Sequence, residues 1–241
     1  MNKKVFIALT VLVMAALACS TSAISPTATA VPPVVVPTAV PTTIIVPTTP
    51  PSTSGTVLFR DDFSDTNSGW DHSSTANGTA DYQNGGYRIN IVTTKLSKWA
   101  NPLQYFQADV SIDVDVTKLA GPDDNAFGVM CRYQDTSNFY KFYLSSDGYA
   151  GIIKMLSGTS TVISSPDGLM QPVDGINQGQ AFNHLHADCI GNTLTLFANG
   201  TQVATATDSD ISSGGDVGLV AAAYDTAGTD VLFTNFVVSM P

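Results

Sequence analysis

An all-β domain of two antiparallel sheets packed as a sandwich is the fold class this sequence predicts, and three observations carry the prediction. Residues 107–116 alternate without interruption: Ala108, Val110, Ile112, Val114 and Val116 fall on one side, Gln107, Asp109, Ser111, Asp113 and Asp115 on the other. A period of two sustained this long is a strand with one wet face. Apolar runs elsewhere are short and separated by turn signals. The clearest is Asn199-Gly200, whose residues both tolerate the positive φ of a two-residue hairpin turn. All 20 acidic residues are Asp and none is Glu. Asp suits turns and disfavours helix, whereas Glu is a helix former; compositional drift would leave the same mark. No segment shows an apolar helical stripe of useful length.

The strands follow in order. Residues 56–59 open the domain, and a turn-rich stretch runs to Gly69-Trp70. Residues 86–92 alternate, then 107–116. Residues 125–133 and 138–144 form a pair across Gln134-Asp135-Thr136-Ser137, and 149–155 returns across Ser145-Ser146-Asp147-Gly148. A loop region with Pro166, Gly168, Pro172 and Gly175 precedes 185–190, 193–198 and 201–205, which are separated by Gly191-Asn192 and Asn199-Gly200. Residues 217–224 and 230–238 close the chain. About twelve short strands fit a two-sheet sandwich over residues 55–241, and not a barrel enzyme.

The N-terminal part is an address. Lys3 and Lys4 precede an apolar run over 5–17, the charged and hydrophobic regions of a signal peptide, too short for a comfortable membrane span. The run ends Ala16-Leu17-Ala18-Cys19-Ser20 and resembles the bacterial lipoprotein signal, in which a peptidase cuts before a cysteine carrying a diacylglyceryl group. Ala18 and Cys19 match that pattern at its two strictest places; its usual leucine is Ala16 here. The resemblance implies a signal peptide over 1–18, lipidation of Cys19 and a chain held on the outer side of a bacterial membrane, at the cell surface. Each buried methylene of the acyl chains adds roughly 0.8 kcal/mol to that hold. An ordinary secretory peptide cut near Ala18 or Ala23 is the alternative, and it too places the chain outside the cytoplasm.

Residues 19–54 are a stalk rich in Pro and Thr, with Pro26, Pro32, Pro33, Pro37, Pro41, Pro47, Pro50 and Pro51. Such a chain favours extended polyproline-like conformations at about 3.1 Å per residue, on the order of 100 Å if fully stretched. With Cys19 lipidated, Cys131 and Cys189 remain as an even pair in an oxidising place, and a bond between them would add on the order of 4 kcal/mol by chain entropy. Two buried free thiols are the alternative. Neither cysteine has a second metal ligand at close spacing. The formal charge of −10 opposes phosphate backbones, so nucleic acid is excluded as a partner.

The order of signals resembles the concanavalin A-like, laminin-G-like jelly rolls of bacterial extracellular proteins. The matching stretches are Phe59-Arg60-Asp61-Asp62-Phe63-Ser64 with Gly69-Trp70, Asp81-Tyr82-Gln83-Asn84-Gly85-Gly86-Tyr87-Arg88, Asn125-Ala126-Phe127-Gly128-Val129, and Asn138-Phe139-Tyr140-Lys141-Phe142. Leu196-Phe197-Ala198-Asn199-Gly200, Gly215-Asp216-Val217-Gly218-Leu219 and Phe233-Thr234-Asn235-Phe236 complete it. The resemblance implies a jelly-roll sandwich with first and last strands side by side, Asp62 near Asn235. The fold hosts lectins, sugar-binding modules, glycosidases and adhesion domains, so it implies no single function. It also implies a structural calcium ion, for which Asp61, Asp62 and Asn235 are candidate ligands, with Asp208, Asp210 and Asp216 as a second set.

Jelly-roll glucanases carry a Glu-x-Asp-x-x-Glu run on one strand, and a chain with no Glu lacks it. Aspartates such as Asp109, Asp113 and Asp115 could face a glycosidic bond, but a solvated strand face accounts for them as well. A binding face is easier to build. If Cys131 and Cys189 point inward, alternation turns Arg132, His184, His186 and Asp188 outward, with Phe139, Lys141 and Tyr143 on the neighbouring strand. Such a face combines flat aromatics for sugar rings with charged groups for hydroxyls. The alternative is that these side chains lie under the loop over 158–180 or form a second apolar layer. Trp70 and Trp99 read as core or loop anchors before sugar platforms. The leading expectation is a membrane-anchored binding module for polysaccharide, without catalysis. A cell-envelope scaffold, surface-layer or adhesion subunit binding envelope protein, and an Asp-based glycoside hydrolase, are the alternatives.

Overall fold

The computed structural model describes residues 55–241, and among them there are sixteen strands and no helix. The predicted signal peptide, Cys19 and the stalk lie outside the described residues. The strands are β1 (Val57–Asp61), β2 (Ser73–Thr75), β3 (Gly78–Gln83), β4 (Gly86–Ile91), β5 (Leu96–Ala100), β6 (Val110–Ala120), β7 (Asn125–Asp135) and β8 (Asn138–Leu144). They continue with β9 (Tyr149–Leu156), β10 (Thr159–Val162), β11 (Gln171–Pro172), β12 (Phe182–Ile190), β13 (Thr193–Ala198), β14 (Thr201–Thr207), β15 (Asp216–Ala223) and β16 (Thr229–Ser239).

A nine-stranded sheet runs β14-β13-β12-β6-β16-β4-β3-β2, with β1 also paired to β16; a seven-stranded sheet runs β10-β9-β8-β7-β15-β5, with β11 also paired to β9. All pairings are antiparallel. First and last strands lie side by side as expected: β4 takes one half of the β16 edge and β1 the other, in register Asp61 to Phe236. The turn at Asn199-Gly200 has positive φ at both residues, 51° and 81°, and Asn84-Gly85 between β3 and β4 repeats it at 56° and 72°.

Between the sheets lies one core. Ile112, Val114 and Val116 of β6 and Leu185 and Ala187 of β12 meet Phe127 and Val129 of β7 and Tyr140, Phe142 and Leu144 of β8. Cys131 and Cys189, both fully buried, are bonded across this core and tie β7 of one sheet to β12 of the other. Phe63, Trp70, Tyr87 and Phe236 close the core as an aromatic cluster, Trp70 meeting Phe236 edge-on at 4.9 Å between centroids.

About twelve strands were expected. The extra ones, β2, β3, β5, β10 and β11, are short and lie toward the sheet edges. Small polar residues such as Ser73, Ser97 and Thr161 there leave no apolar alternation for the sequence to show.

A candidate ligand groove on the seven-stranded sheet

The outer face of the seven-stranded sheet is the most distinctive surface of the domain. Strict alternation in β8 sends Tyr140, Phe142 and Leu144 into the core and Phe139, Lys141 and Tyr143 outward. Outward residues of the neighbouring strands, Met130 from β7, Ile153 from β9 and Val220 and Ala222 from β15, join them in a second apolar cluster, with Trp99, Tyr133, Met170 and Tyr224 packed around it. Registry decides where space remains. Tyr143 lies between Gly128 of β7 and Gly151 of β9, so no side chain stands beside it on either flank. Lys141 lies between Met130 and Ile153.

The segment after β10 folds back over this face. Asp167 organises it, accepting from Leu169 N at 3.0 Å, Ser165 Oγ at 2.8 Å and Gln171 Nε2 at 2.9 Å. Met170 then packs onto Gly151, where an added Cβ would come within 2.7 Å of its Cγ. The Tyr224 hydroxyl donates to its sulfur at 3.5 Å. The result is a cavity of about 510 Å³ with Lys141, Tyr143 and Ala222 at the sheet, Val162, Leu169 and Met170 as a wall, and Asp124, Asp147 and Tyr149 nearer solvent.

Its electrostatics are unusual. Lys141 is 6 % exposed and makes no hydrogen bond or ion pair among the described residues. Its ammonium lies 5.3 Å from the Tyr143 ring centre and 5.9 Å from that of Phe139. Burial pulls its pKa down to about 8. The Tyr143 hydroxyl is buried without a hydrogen-bond partner among the described residues. Burial, then the charges of Asp147 and Asp225, raises the Asp124 carboxyl above the ordinary range. Burial, then Asp124 and Asp147, pushes the Tyr224 hydroxyl up to about 12.

The structure corrects the expectation of one face holding all seven predicted ligand residues. Phe139, Lys141 and Tyr143 lie on the outer face of the seven-stranded sheet, and only Lys141 and Tyr143 line the groove; Phe139 is buried against Trp99 and Tyr133. His184, His186 and Asp188 face outward from β12, which belongs to the nine-stranded sheet, so they lie on the opposite side of the sandwich. The inward pairing of Cys131 and Cys189 is what separates them: the bond spans two sheets, and outward from each is the reverse of outward from the other.

Arg132 is corrected too. The β7 ladder shifts register after Cys131, and Arg132 takes a φ of 50°, which withdraws it from the alternation. Its guanidinium is buried and donates to the carbonyls of Ala108 at 3.0 Å, Ile211 at 2.9 Å and Gly191 at 2.7 Å.

On the far sheet, β12 pairs with β6, and the wet faces of both strands interlock. His184 bonds Asp115 through Nδ1 at 2.7 Å and Asp113 through Nε2 at 3.2 Å; His186 bonds Asp113 through Nδ1 at 2.8 Å and meets Asp188 at 3.2 Å through Nε2. Ser111 Oγ donates to Asp188 at 2.5 Å and Asn235 Nδ2 to Asp115 at 2.8 Å, closing the ladder at both ends. Ionised carboxylates only accept, so each ring donates from both nitrogens and is an imidazolium. Bonds to Asp113 and Asp115 raise His184 to about 9. For His186 burial opposes the charge, but bonds to Asp113 and Asp188 prevail and raise it to about 10. Asp113, despite burial, is held down to about 2 by the two histidines. Each strand's wet face was legible in the sequence, whereas their pairing was not.

The residues implied for calcium do not fit an ion. Asp61 commits both oxygens to its own loop, accepting from Phe63 N at 2.7 Å, from Trp70 Nε1 at 2.9 Å and from Ser68 Oγ. Asp62 caps Ser64 N at 2.9 Å, and Asn235 turns to Asp115. Asp208 and Asp210 share Lys154, and Asp216 holds its neighbour Val217 N at 2.8 Å. Among the described residues no group of three or more His, Cys or Asp side chains is placed to hold a metal ion.

No family model matches the chain, and no curated protein matches it. Solved structures do. A Bacillus subtilis protein of unknown function with a galectin-like fold superposes with a TM-score of 0.55 at 12% identity, over 77% of this chain and 96% of that one. A Bacillus licheniformis beta-glucanase gives 0.54 at 12%, over 78% of this chain and 100% of that one. The GH43 BlXynB protein of Bacillus licheniformis gives 0.56 at 13%, over 76% of this chain, which spans 39% of that longer one. At such identities the likeness is one of fold. With two antiparallel sheets, no helix among the described residues and these neighbours, the domain has a jelly-roll β-sandwich fold.

Proposed function

We propose that the protein is a membrane-anchored, extracytoplasmic binding module for carbohydrate, with the groove over Lys141 and Tyr143 as its ligand site. One observation carries this reading. A preformed cavity, walled by Met170 and floored by an aromatic ring, holds the Lys141 side chain without an ion-pair partner among the described residues. Ligand sites are concave and mostly apolar, with a few placed polar groups, and this groove has that composition. The beta-glucanase and GH43 neighbours supply a precedent for carbohydrate chemistry on the fold, no more. Anchoring rests on the sequence Ala18-Cys19 and its resemblance to the lipoprotein signal.

Hydrolysis is a second reading with an observation of its own. Asp124 and Asp147 line the same cavity, and Asp124 is held above the ordinary carboxyl range, as a general acid requires.

A glycan array probed with the full chain tests the first reading, beside a Ser160→Trp variant that fills the groove mouth from an exposed position. Expected are binding to a set of glycans and at least a tenfold loss in the variant, with its melting temperature unchanged. A folded chain that binds no glycan sinks the reading and favours an envelope scaffold. New reducing ends released from a bound glycan, and abolished in Asp124→Asn, would establish the second.

A further inference from the structure

We propose that the groove recognises an acidic sugar at a chain end, a terminal uronate whose carboxylate sits on the Lys141 ammonium. The proposal deepens the carbohydrate reading and rests on it.

One group points to this ligand. Lys141 is 6 % exposed and lines the cavity without an ion-pair partner among the described residues. Its ammonium has the rings of Phe139 and Tyr143 beside it. The flanking residues on the sheet, Met130 and Ile153, offer no acceptor. Withdrawing a charge from water is costly unless a partner replaces it. An ammonium has three donors and no acceptor, so the sugar group that completes it best is a carboxylate, which only accepts.

The remaining lining narrows the class. Asp124 and Asp147 stand nearer the mouth, and the chain carries a formal charge of −10. A polymer charged on every unit would run past those carboxylates and be repelled. A glycan with one carboxylate at its end places that charge at the floor and its neutral units, rich in hydroxyl donors, against the mouth carboxylates. Tyr149 and Tyr224 line the same cavity and add aromatic surface for those units. The cavity, about 510 Å³, lies within the roughly 300–1,000 Å³ of small-ligand sites and takes a chain end.

Matched oligosaccharides that differ only in one terminal CH2OH or carboxylate, over glucan, xylan and galactan backbones, test the proposal on one array. The simplest pair is cellobiose and cellobiouronic acid. The full chain is expected to bind the acidic member of at least one pair tenfold or more tighter than the neutral one. Lys141→Met is expected to erase that preference while melting no lower than the parent, since methionine fills the space and has no charge to desolvate. Raising the pH through about 8 discharges the free Lys141 and is expected to weaken the acidic member selectively. The groups facing it are Asp124, Asp147, Tyr149 and Tyr224, and the same pH series on Lys141→Met separates their effect from that of Lys141. Neutral members bound as tightly as acidic ones, or a preference that survives Lys141→Met, overturn the acidic-sugar assignment and leave the carbohydrate reading standing. A folded chain that binds no member of any pair overturns both.

Discussion

Arg132 shows how one backbone angle changes the job of a side chain. Continued alternation would place it on the outer face beside Met130. A φ of 50° at a bulge instead turns it to the end of the sandwich, where three carbonyls from three segments depend on it. Truncation would leave the Ile211 carbonyl buried and unpaired and open a cavity beside the other two. Arg132→Ala is therefore expected to lower the unfolding free energy by about 3 kcal/mol or more, seen as a fall in the urea midpoint. A change within about 0.5 kcal/mol would return Arg132 to the surface role that its sequence position suggests. Lysine is expected to rescue poorly, because a point charge cannot reproduce the planar fork. Lys141 is the opposite case at the same scale. Alternation alone puts it on the outer face, and the sequence was sufficient to find it. That it would be buried there depends on Met130, Ile153 and the returning segment, none of which its own strand announces.

At the scale of elements, the β6–β12 pair is one source of pH dependence in the stability of the domain. His184 and His186 are raised from 6.5 to about 9 and about 10, so the ladder's contribution is fully present below pH 6.5 and is lost as pH rises through 9–10. Asp113 is depressed from 3.8 to about 2, so its contribution is present above pH 3.8 and is lost as pH falls through 2. Urea midpoints measured between pH 5 and 10.5 are expected to fall on the alkaline side. In a His184→Gln/His186→Gln variant that alkaline limb is expected to flatten. An equal alkaline decline in parent and variant would remove the ladder as its cause. The wet faces of these strands were both visible in the sequence, as Asp113 and Asp115 on one and His184, His186 and Asp188 on the other. Alternation is a local property of the pleat and shows which side chains leave the core together. It does not show which strand lies alongside, since β6 and β12 are joined only after five intervening strands have been laid into the other sheet.

For the whole molecule, the Cys131–Cys189 bond links the two sheets over a sequence separation of 58 residues. Replacing both cysteines by alanine is expected to cost about 4 kcal/mol by chain entropy, measurable as a lower urea midpoint with unchanged secondary structure. At the other end of the chain, Cys19→Ala is expected to move the protein from the membrane pellet to the soluble fraction of the same cells. Retention in the pellet would remove the lipid anchor from the reading.

Sequence by itself determined what depends on neighbours a few residues apart: the strand period, the Asn-Gly turns and, once the cysteines are taken as inward, the outward companions of each strand. Tertiary structure alone decided which strands share a sheet, and so put Lys141 and His186 on opposite sides of the sandwich although both point out of the core. It also decided that Gly128 and Gly151 flank Tyr143 and that Met170 returns to wall the space they leave. The physical reason is that a groove is made by absence. Its volume is set where small residues of adjacent strands align beside Tyr143 and a later segment folds back over them, and that return is fixed only when the whole core has chosen its partners.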